Sequence, residues 1–493
     1  MSTSVRETER KFEAPTGASL PELADLPGVA AAAGPEELTL EAVYYDTADL
    51  RLARAGLTLR RRTGGDDAGW HLKLPVDGDT REEVRLPPGR AAKHPPRELG
   101  SLVQVHARGG ALTPVARIRT NRRRWQLVDA KGELLAEVVE DLVSAQDVVD
   151  DSNVDSWREI EVELGDRGDT DLLDRVEQRL NDAGIHRSAS SAKLTKLLAA
   201  RIAPHPEPAR DDSAGSVVLA YLREQADALK AHDPKVRRRE DDAVHQMRVA
   251  TRRMRSALQA FGEVVPRDET RALTDELKWI AGVLGEARDA EVLRTTFEAH
   301  IADLPGELVL GAVPAQLTRF FAPREEQAYQ AAVAALDSRR YFDLLDAVDA
   351  LVADPPLTPL AAAKGKKVLP GLVDKAYRRL KKAADNAHDD TSLHEARKAA
   401  KRLRYAVETV EPLFGKRAKK YRKRLKKLQT LLGDHQDSVV ARPVLRELGA
   451  QAHLDGENGF TFGVLHALET ARAQRVEERF PAAWADLGRP KLR

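Results

Sequence analysis

Glu7-Thr8-Glu9-Arg10-Lys11, close to the start of the chain, decides how the first two hundred residues are read. Glu7, Glu9 and Lys11 are two apart, with Val5 ahead of them on the same parity. Period-two spacing predicts a strand with these side chains on one face, successive members roughly 7 Å apart. An open antiparallel sheet normally turns an apolar face to its core. This face carries two carboxylates and an ammonium in a row. For the segment alone, a solvated strand edge explains that equally well, but the pattern returns along the following sequence.

Leu38–Tyr45 is β-rich and ends at Asp46-Thr47. Leu57–Arg62 puts Thr58, Arg60 and Arg62 on one face, Trp70–Pro75 puts His71 and Lys73 there, and Arg81–Arg85 adds Arg81, Glu83 and Arg85. Arg117-Ile118-Arg119 and Trp125–Val128 follow. Leu134–Val143 then offers Glu137 and Asp141, and Trp157–Leu164 offers Glu159, Glu161 and Glu163. Gly64-Gly65, Pro87-Pro88 and Gly109-Gly110 separate the runs. Two helices are expected among them: a weak one over Leu20–Ala33 and a better one over Asp171–Ala183, stopped by Gly184. For any one charged pair a surface salt-bridge ladder is the simpler account. So many strands with a charged face call for a closed antiparallel barrel with a polar lumen. Converging Arg and Lys suit a phosphate polyanion. Carboxylates among them suit a hard divalent cation, Mg²⁺ or Mn²⁺. Together these are the parts of phosphoryl transfer.

At 493 residues the chain exceeds one ordinary core. It is 42% apolar and 32% charged, a globular profile, with a formal net charge of +1. The halves differ: residues 1–210 hold roughly 30 Lys/Arg against 36 Asp/Glu, and residues 211–493 roughly 49 against 42. The absence of cysteine excludes disulfides, thiolate chemistry and Cys-ligated metal. The start is polar rather than signal-like, and no apolar run approaches the roughly 18–20 residues that span a bilayer. The expectation is a cytoplasmic protein with no membrane partner.

Residues 1–202 resemble a CYTH domain, the family of class IV adenylyl cyclases, thiamine triphosphatase and bacterial inorganic triphosphatases. Glu7-Thr-Glu9-Arg-Lys11 matches the ExExK hallmark. Tyr44–Thr47, Leu59–Arg62, Leu72–Pro75, Arg117-x-Arg119, Glu159–Glu163 and Ser190-Ser-Ala-Lys193 follow in family order. The resemblance implies a triphosphate tunnel of eight antiparallel strands. It makes Glu7, Glu9, Glu161 and Glu163 the metal ligands, with Glu7, Glu9 and Lys11 as the catalytic group. It makes Lys11, Arg60, Arg62, Lys73, Arg117, Arg119 and Lys193 the triphosphate grip. Arg81, Glu83, Glu137, Asp141 and Glu159 are further lumen candidates, and no catalytic His or Cys is required.

Residues 203–216 are a Pro-rich, polar linker. Residues 217–493 carry Ala, Leu, Arg, Glu and Lys at helical spacing and repeat internally, over about 217–350 and 364–493. His245-Gln-Met-Arg248-Val-Ala-Thr-Arg252-Arg-Met-Arg255 aligns with His394-Glu-Ala-Arg397-Lys-Ala-Ala-Lys401-Arg-Leu-Arg404. Leu277-Lys278 and Leu284–Asp289 align with Leu425-Lys426 and Leu432–Asp437. The spacing predicts two related helical bundles facing each other rather than a solenoid. His245, Arg248, Arg252 and Arg255 fall on one helical stripe, as do His394, Arg397, Lys401 and Arg404. Stacked like charges repel. A solvated basic face is the ordinary account, but the stripe recurs with its His. Residues 364–427 hold roughly 22 basic against 7 acidic side chains. Few aromatics lie on the stripe for base stacking and no nucleic-acid motif is present, which makes nucleic acid an unlikely partner.

This half resembles a CHAD domain, the conserved-histidine α-helical domain often found behind CYTH, through His245-x-x-Arg248, the following Arg run and the second copy at His394. The resemblance implies binding of inorganic polyphosphate through those basic residues, with Lys278 and Lys426 as further contacts, and association with polyphosphate granules. Lys401 stands where the first copy has Arg252, keeping charge but losing the bidentate fork. The combined expectation is a β-barrel that hydrolyses tripolyphosphate or short phosphate chains with Mg²⁺ or Mn²⁺, followed by an all-α polyphosphate-binding domain. The alternatives are a polyphosphate-binding protein with little turnover, a thiamine triphosphatase, or a class IV adenylyl cyclase.

Overall fold

The computed structural model describes residues 3–15, 17–89, 94–150, 152–190, 192–202 and 211–492. Ser191 and residues 203–210, most of the expected linker, lie outside the described residues. The chain separates into two compact units, residues 1–206 and 207–493.

In the first unit, long antiparallel strands close into a barrel. They are β1 (Thr3–Glu13), β2 (Ala31–Asp46), β3 (Thr58–Thr63), β4 (Gly69–Asp77), β5 (Thr80–Leu86), β6 (Thr113–Val128), β7 (Leu134–Asp147) and β8 (Val154–Leu164). The order β5-β4-β3-β2-β6-β7-β8-β1 is closed by pairing of β1 with β5, and the two-residue β9 (His186–Arg187) adds to β1. β1 shifts partner along its length. Glu7 lies opposite Arg81 of β5, whereas Glu9 and Lys11 lie opposite Glu163 and Glu161 of β8. Closure removes both sheet edges and turns every second side chain inward. The short helices α1 (Arg51–Arg54), α2 (Arg97–Leu102) and α3 (Gln104–Ala107) flank the barrel. So do α4 (Thr170–Asp182) and α5 (Lys193–Leu197).

The outward alternates of the charged rows are mixed, with Arg10, Arg61 and Glu82 among them, and these helices cover the apolar ones. Phe12, Leu127, Ile160 and Val162 are buried with Leu172, Leu173, Val176 and Leu180 of α4. Leu59, Trp70, Leu72 and Val84 are buried with Leu99, Leu102, Val103 and Ala107. Apolar side chains also plug one end of the lumen: Ile118, Val143 and Ala145 pack with Leu194, Leu197 and Leu198. α4 begins where its sequence says, with Asp169 accepting from the Leu172 amide at 2.8 Å as an N-cap. The expected helix over Leu20–Ala33 does not form. Leu23 and Leu26 are buried from a turn and β2 starts at Ala31. Pro21 and Pro27 remove the amides and clash with the turns that a helix would need.

The second unit is helical among its described residues. Its first copy holds α6 (Ala214–Arg237), α7 (Ala243–Ala260), α8 (Arg267–Ala302), α9 (Val313–Leu336) and α10 (Arg339–Ala353). Its second holds α11 (Gly365–Asp385), α12 (Asp390–Thr409), α13 (Glu411–Phe414), α14 (Lys416–Leu454) and α15 (Phe460–Leu487). α7 lies against α6 and α8, and α12 correspondingly against α11 and α14. The copies meet through α7 and α12. They also share a core, in which Phe297, Leu317 and Phe321 of α8 and α9 pack with Leu445, Leu448 and Phe462 of α14 and α15. Met247, Met254 and Leu258 on α7, and Leu393, Ala396, Leu403 and Val407 on α12, are buried. That fixes the basic stripes on the remaining faces.

Candidate functional site

The barrel encloses a cavity of about 420 Å³. Its lining includes Glu7, Glu9 and Lys11 from β1, Arg60 and Arg62 from β3, Lys73 from β4, and Arg81, Glu83 and Arg85 from β5. Glu137 of β7, Glu161 and Glu163 of β8 and Lys193 of α5 also face it. The expected metal ligands and triphosphate grip are therefore brought together except Arg117 and Arg119; of the further lumen candidates, Asp141 and Glu159 lie outside this lining, buried against Lys193. Arg117 and Arg119 are exposed on the outer face of β6. Arg122 and Arg124 line the cavity instead. β6 is one unbroken strand, and its inward parity is even: Ala116, Ile118 and Thr120 are buried towards the plugged end, Arg122 and Arg124 lie in the charged part. Ile118 gave the opposite cue: in a barrel with a charged lumen, an apolar residue between two arginines reads as outward, and it faces inward here because this end of the lumen is apolar.

The charges sort into two groups. At the plugged end Lys193 Nζ lies 2.8 Å from Asp141, 2.7 Å from Glu159 and 2.8 Å from Glu161. Arg122 reaches Asp141 at 2.7 Å and Glu161 at 3.3 Å, and Lys11 pairs with Glu161. Burial alone would favour the neutral Glu161 carboxyl, but Lys11, Lys193 and Arg122 outweigh it and hold the group well below its ordinary range. Asp141, Glu159 and Glu161 have metal-like spacing, yet an ammonium already occupies the point between them. The expected metal ligand Glu161 is thus held by cations.

Nearer β5, Lys73 lies 2.8 Å from Glu7 Oε2, Arg85 pairs with both Glu7 and Glu83, and buried His71 places Nδ1 3.1 Å from Glu83. Glu163 differs from all of these. It stands opposite Glu9 on one side and Glu137 on the other, and it has no ion pair among the described residues. Burial, with Glu7, Glu9 and Glu137 around it, pushes its carboxyl up to about 8. Glu7 pairs with Lys73 and Arg85, Glu9 with Lys11, Lys73 and Arg81, and Glu137 with Arg124, which leaves Glu163 as the member of this group without an ion pair among the described residues. Four carboxylates meeting here are oxygen donors of the kind that suit a hard divalent cation such as Mg²⁺ or Mn²⁺. Arg60 is fully in the wall, and its Nε is buried without a hydrogen-bond partner. Burial would favour the uncharged guanidine there, but Tyr44 and Glu83 outweigh it and keep Arg60 charged.

In the helical unit the two stripes converge. Arg248 pairs with Asp289 at 2.7 Å and Arg397 with Asp437 at 3.9 Å, the same pairing in each copy. Arg252 and Arg404 each donate to the Tyr405 hydroxyl at 3.0 Å, from opposite copies. His394 contacts Gln436 through Nδ1. Burial and then Arg397, Arg252 and Arg248 push the Lys401 ammonium down to about 7. Burial, followed by nearby arginines, also lowers His245. The Nε atoms of Arg397 and Arg404 are buried without hydrogen-bond partners. Lys278 and Lys426 are exposed at matching places on α8 and α14. Tyr405, the hub between the copies, is the residue sequence reading missed. Its counterpart in the first copy is Ser256, so the repeat gave no cue.

Comparison with known proteins agrees with this division. The CYTH domain model matches residues 5–197 and the CHAD domain model residues 220–446. Two Mycobacterium tuberculosis proteins, from strains CDC 1551 and H37Rv and both uncharacterized, are 39% identical over 97% of this chain and 95% of their own length. Among solved structures, PptA from Streptomyces chartreusis is 24% identical (TM-score 0.49; 55% of this chain, 99% of that one). The CHAD domain of the plant Ricinus communis is 29% identical (TM-score 0.49; 59% and 98%). The barrel carries the ordered charges of the CYTH tunnel and the helical unit the doubled His and Arg stripes, so the chain belongs to the family in which a CYTH triphosphate-tunnel domain is followed by a CHAD domain.

Proposed function

We propose that the barrel is a divalent-metal-dependent inorganic triphosphatase acting on tripolyphosphate or short phosphate chains, and that the helical unit binds inorganic polyphosphate. The observation that carries the first half is one cavity in which Arg60, Arg62, Lys73, Arg122 and Lys193 converge with clustered carboxylates, of which Glu163 has no ion pair among the described residues. In this reading Arg60, Arg62, Arg122 and Arg124 offer phosphate oxygens the guanidinium N–H groups that their carboxylate partners leave over (Arg122 holds Asp141 through Nε and Nη2), and Lys11, Lys73 and Lys193 add point charges. Arg60 Nε supplies a donor that nothing else in the wall uses. Glu7, Glu9, Glu137 and Glu163 would hold Mg²⁺ or Mn²⁺; a cation bound there supplies neutralisation of charge on the phosphate oxygens. The plug formed by Leu194, Leu197 and Leu198 excludes water from one end. In the helical unit the supporting observation is convergence of cations from both copies with donors left over.

Phosphate release from tripolyphosphate tests this. Release that requires Mg²⁺ or Mn²⁺ and falls at least about a hundredfold in Glu7→Gln/Glu9→Gln is expected, the scale of losing electrostatic stabilisation of a transition state. Binding without release would leave a polyphosphate-binding protein. A second reading, a triphosphate bearing an organic group, is favoured by Leu38, Leu40, Leu134 and Leu164 in the lining. Faster turnover of thiamine triphosphate or ATP than of tripolyphosphate would establish it.

A further inference from the structure

Outside the tunnel and the basic stripes, one cluster in the helical unit joins three helices. His435 of α14 is 1% exposed. Its Nε2 lies 3.2 Å from Asp390 Oδ1, at the first residue of α12, and 3.3 Å from Glu477 Oε1 of α15. We propose that His435, Asp390 and Glu477 bind a first-row transition-metal dication of the zinc class.

One imidazole nitrogen carries at most one proton, which two carboxylate oxygens would have to share in a weaker three-centre bond. Here only the Glu477 contact has hydrogen-bond geometry. Two oxygens at nearly equal distance from one nitrogen fit ligands of a shared metal. Ligands about 2.1 Å from a cation at tetrahedral or octahedral angles sit about 3.0–3.4 Å apart. Arg442 binds the other oxygen of Asp390 at 2.7 Å, which turns Oδ1 towards His435 in the way outer-shell partners orient metal ligands. The carboxylates are 45% and 42% exposed at their side chains, so an ion has a path in and room for water ligands. A nitrogen donor beside two carboxylates suits zinc-class ions better than Mg²⁺ or Ca²⁺, which take oxygen.

The internal repeat argues against a purely structural origin. The Leu432–Asp437 segment aligns with Leu284–Asp289, and Ala287 stands where the second copy has His435. The first copy thus folds the same helix without this group. The cluster also adjoins the basic stripe: Gln436 contacts His394, and Asp437 pairs with Arg397. A cation here would fix α14 against α12 at the base of that stripe.

The test uses the full chain, stripped with chelator and titrated with Co²⁺ and then Zn²⁺ in excess Mg²⁺, which occupies the tunnel carboxylates. One equivalent of Co²⁺ should give a visible ligand-field band that Zn²⁺ abolishes. The band should be lost in His435→Ala and kept in Glu7→Gln/Glu9→Gln. Because His435 is buried, Glu477→Gln on the half-exposed face is the companion variant, expected to weaken Zn²⁺ binding by about tenfold or more. A band that survives His435→Ala, or Zn²⁺ affinity unchanged in Glu477→Gln, would overturn the proposal, as would absence of the band in the parent chain.

Discussion

Glu163 is the residue at which the tunnel's electrostatics fail to balance. In the unfolded chain its carboxyl ionises near 4.5, and in the folded, cation-free protein near 8. The folded state therefore keeps a proton that the unfolded state releases. Stability owed to this group is complete below the lower value and is lost as pH rises through the upper one. Glu163→Gln removes the titration. In chelator its Tm relative to the parent should rise between about pH 5 and 8, and a difference constant with pH would refute the assignment. Lys401 has the opposite sign. Burial and its cationic neighbours Arg397, Arg252 and Arg248, opposed by Asp437, bring it from 10.5 to about 7. A polyanion restores its charge, so binding takes up a proton above that value. Polyphosphate affinity should fall from about pH 6 to 8, by no more than about tenfold per pH unit for one proton. Lys401→Arg, charged throughout, should flatten the profile. Neither shift was legible in the sequence, because each depends on neighbours from other strands or from the other copy.

Among the elements, β6 shows what a strand pattern reveals and what it conceals. Arg117-Ile-Arg119 and Trp125–Val128 read as separate runs but form one strand, and the residues between them, Arg122 and Arg124, are the ones that face the cavity. The run Arg122-Arg123-Arg124 hides its parity, since every position is charged. The two faces predict different outcomes. Arg124→Ala should raise the KM for tripolyphosphate by about tenfold or more, the worth of one charge-assisted contact. Arg119→Ala, exposed and pointing away, should leave it unchanged. Equal effects would return the arginines to the positions first expected. The missing helix over Leu20–Ala33 has a similar origin. Leu20, Leu23 and Leu26 are three apart because turns drop them into one apolar cluster, not because a helix presents them.

At the scale of the molecule, the division into an acidic strand-rich half and a basic helical half was visible in charge and periodicity, and the repeat in the second half was visible as aligned motifs. The sharing of one core by the two copies was not, because Phe297, Phe321, Leu445 and Phe462 come from residues far apart in the chain. No helix among the described residues is long and apolar enough to cross a membrane. Electrostatic capture by the helical unit should weaken with salt, since exposed charges are screened within about 8 Å at physiological ionic strength. The most direct test of the two-site account sets two variants side by side, one neutralising His245, Arg248, Arg397 and Lys401, the other Glu7→Gln/Glu9→Gln. Polyphosphate binding and tripolyphosphate turnover are measured on both. The account predicts that the first loses binding and keeps turnover, and that the second loses turnover and keeps binding. Loss of both activities together in either folded variant would contradict it.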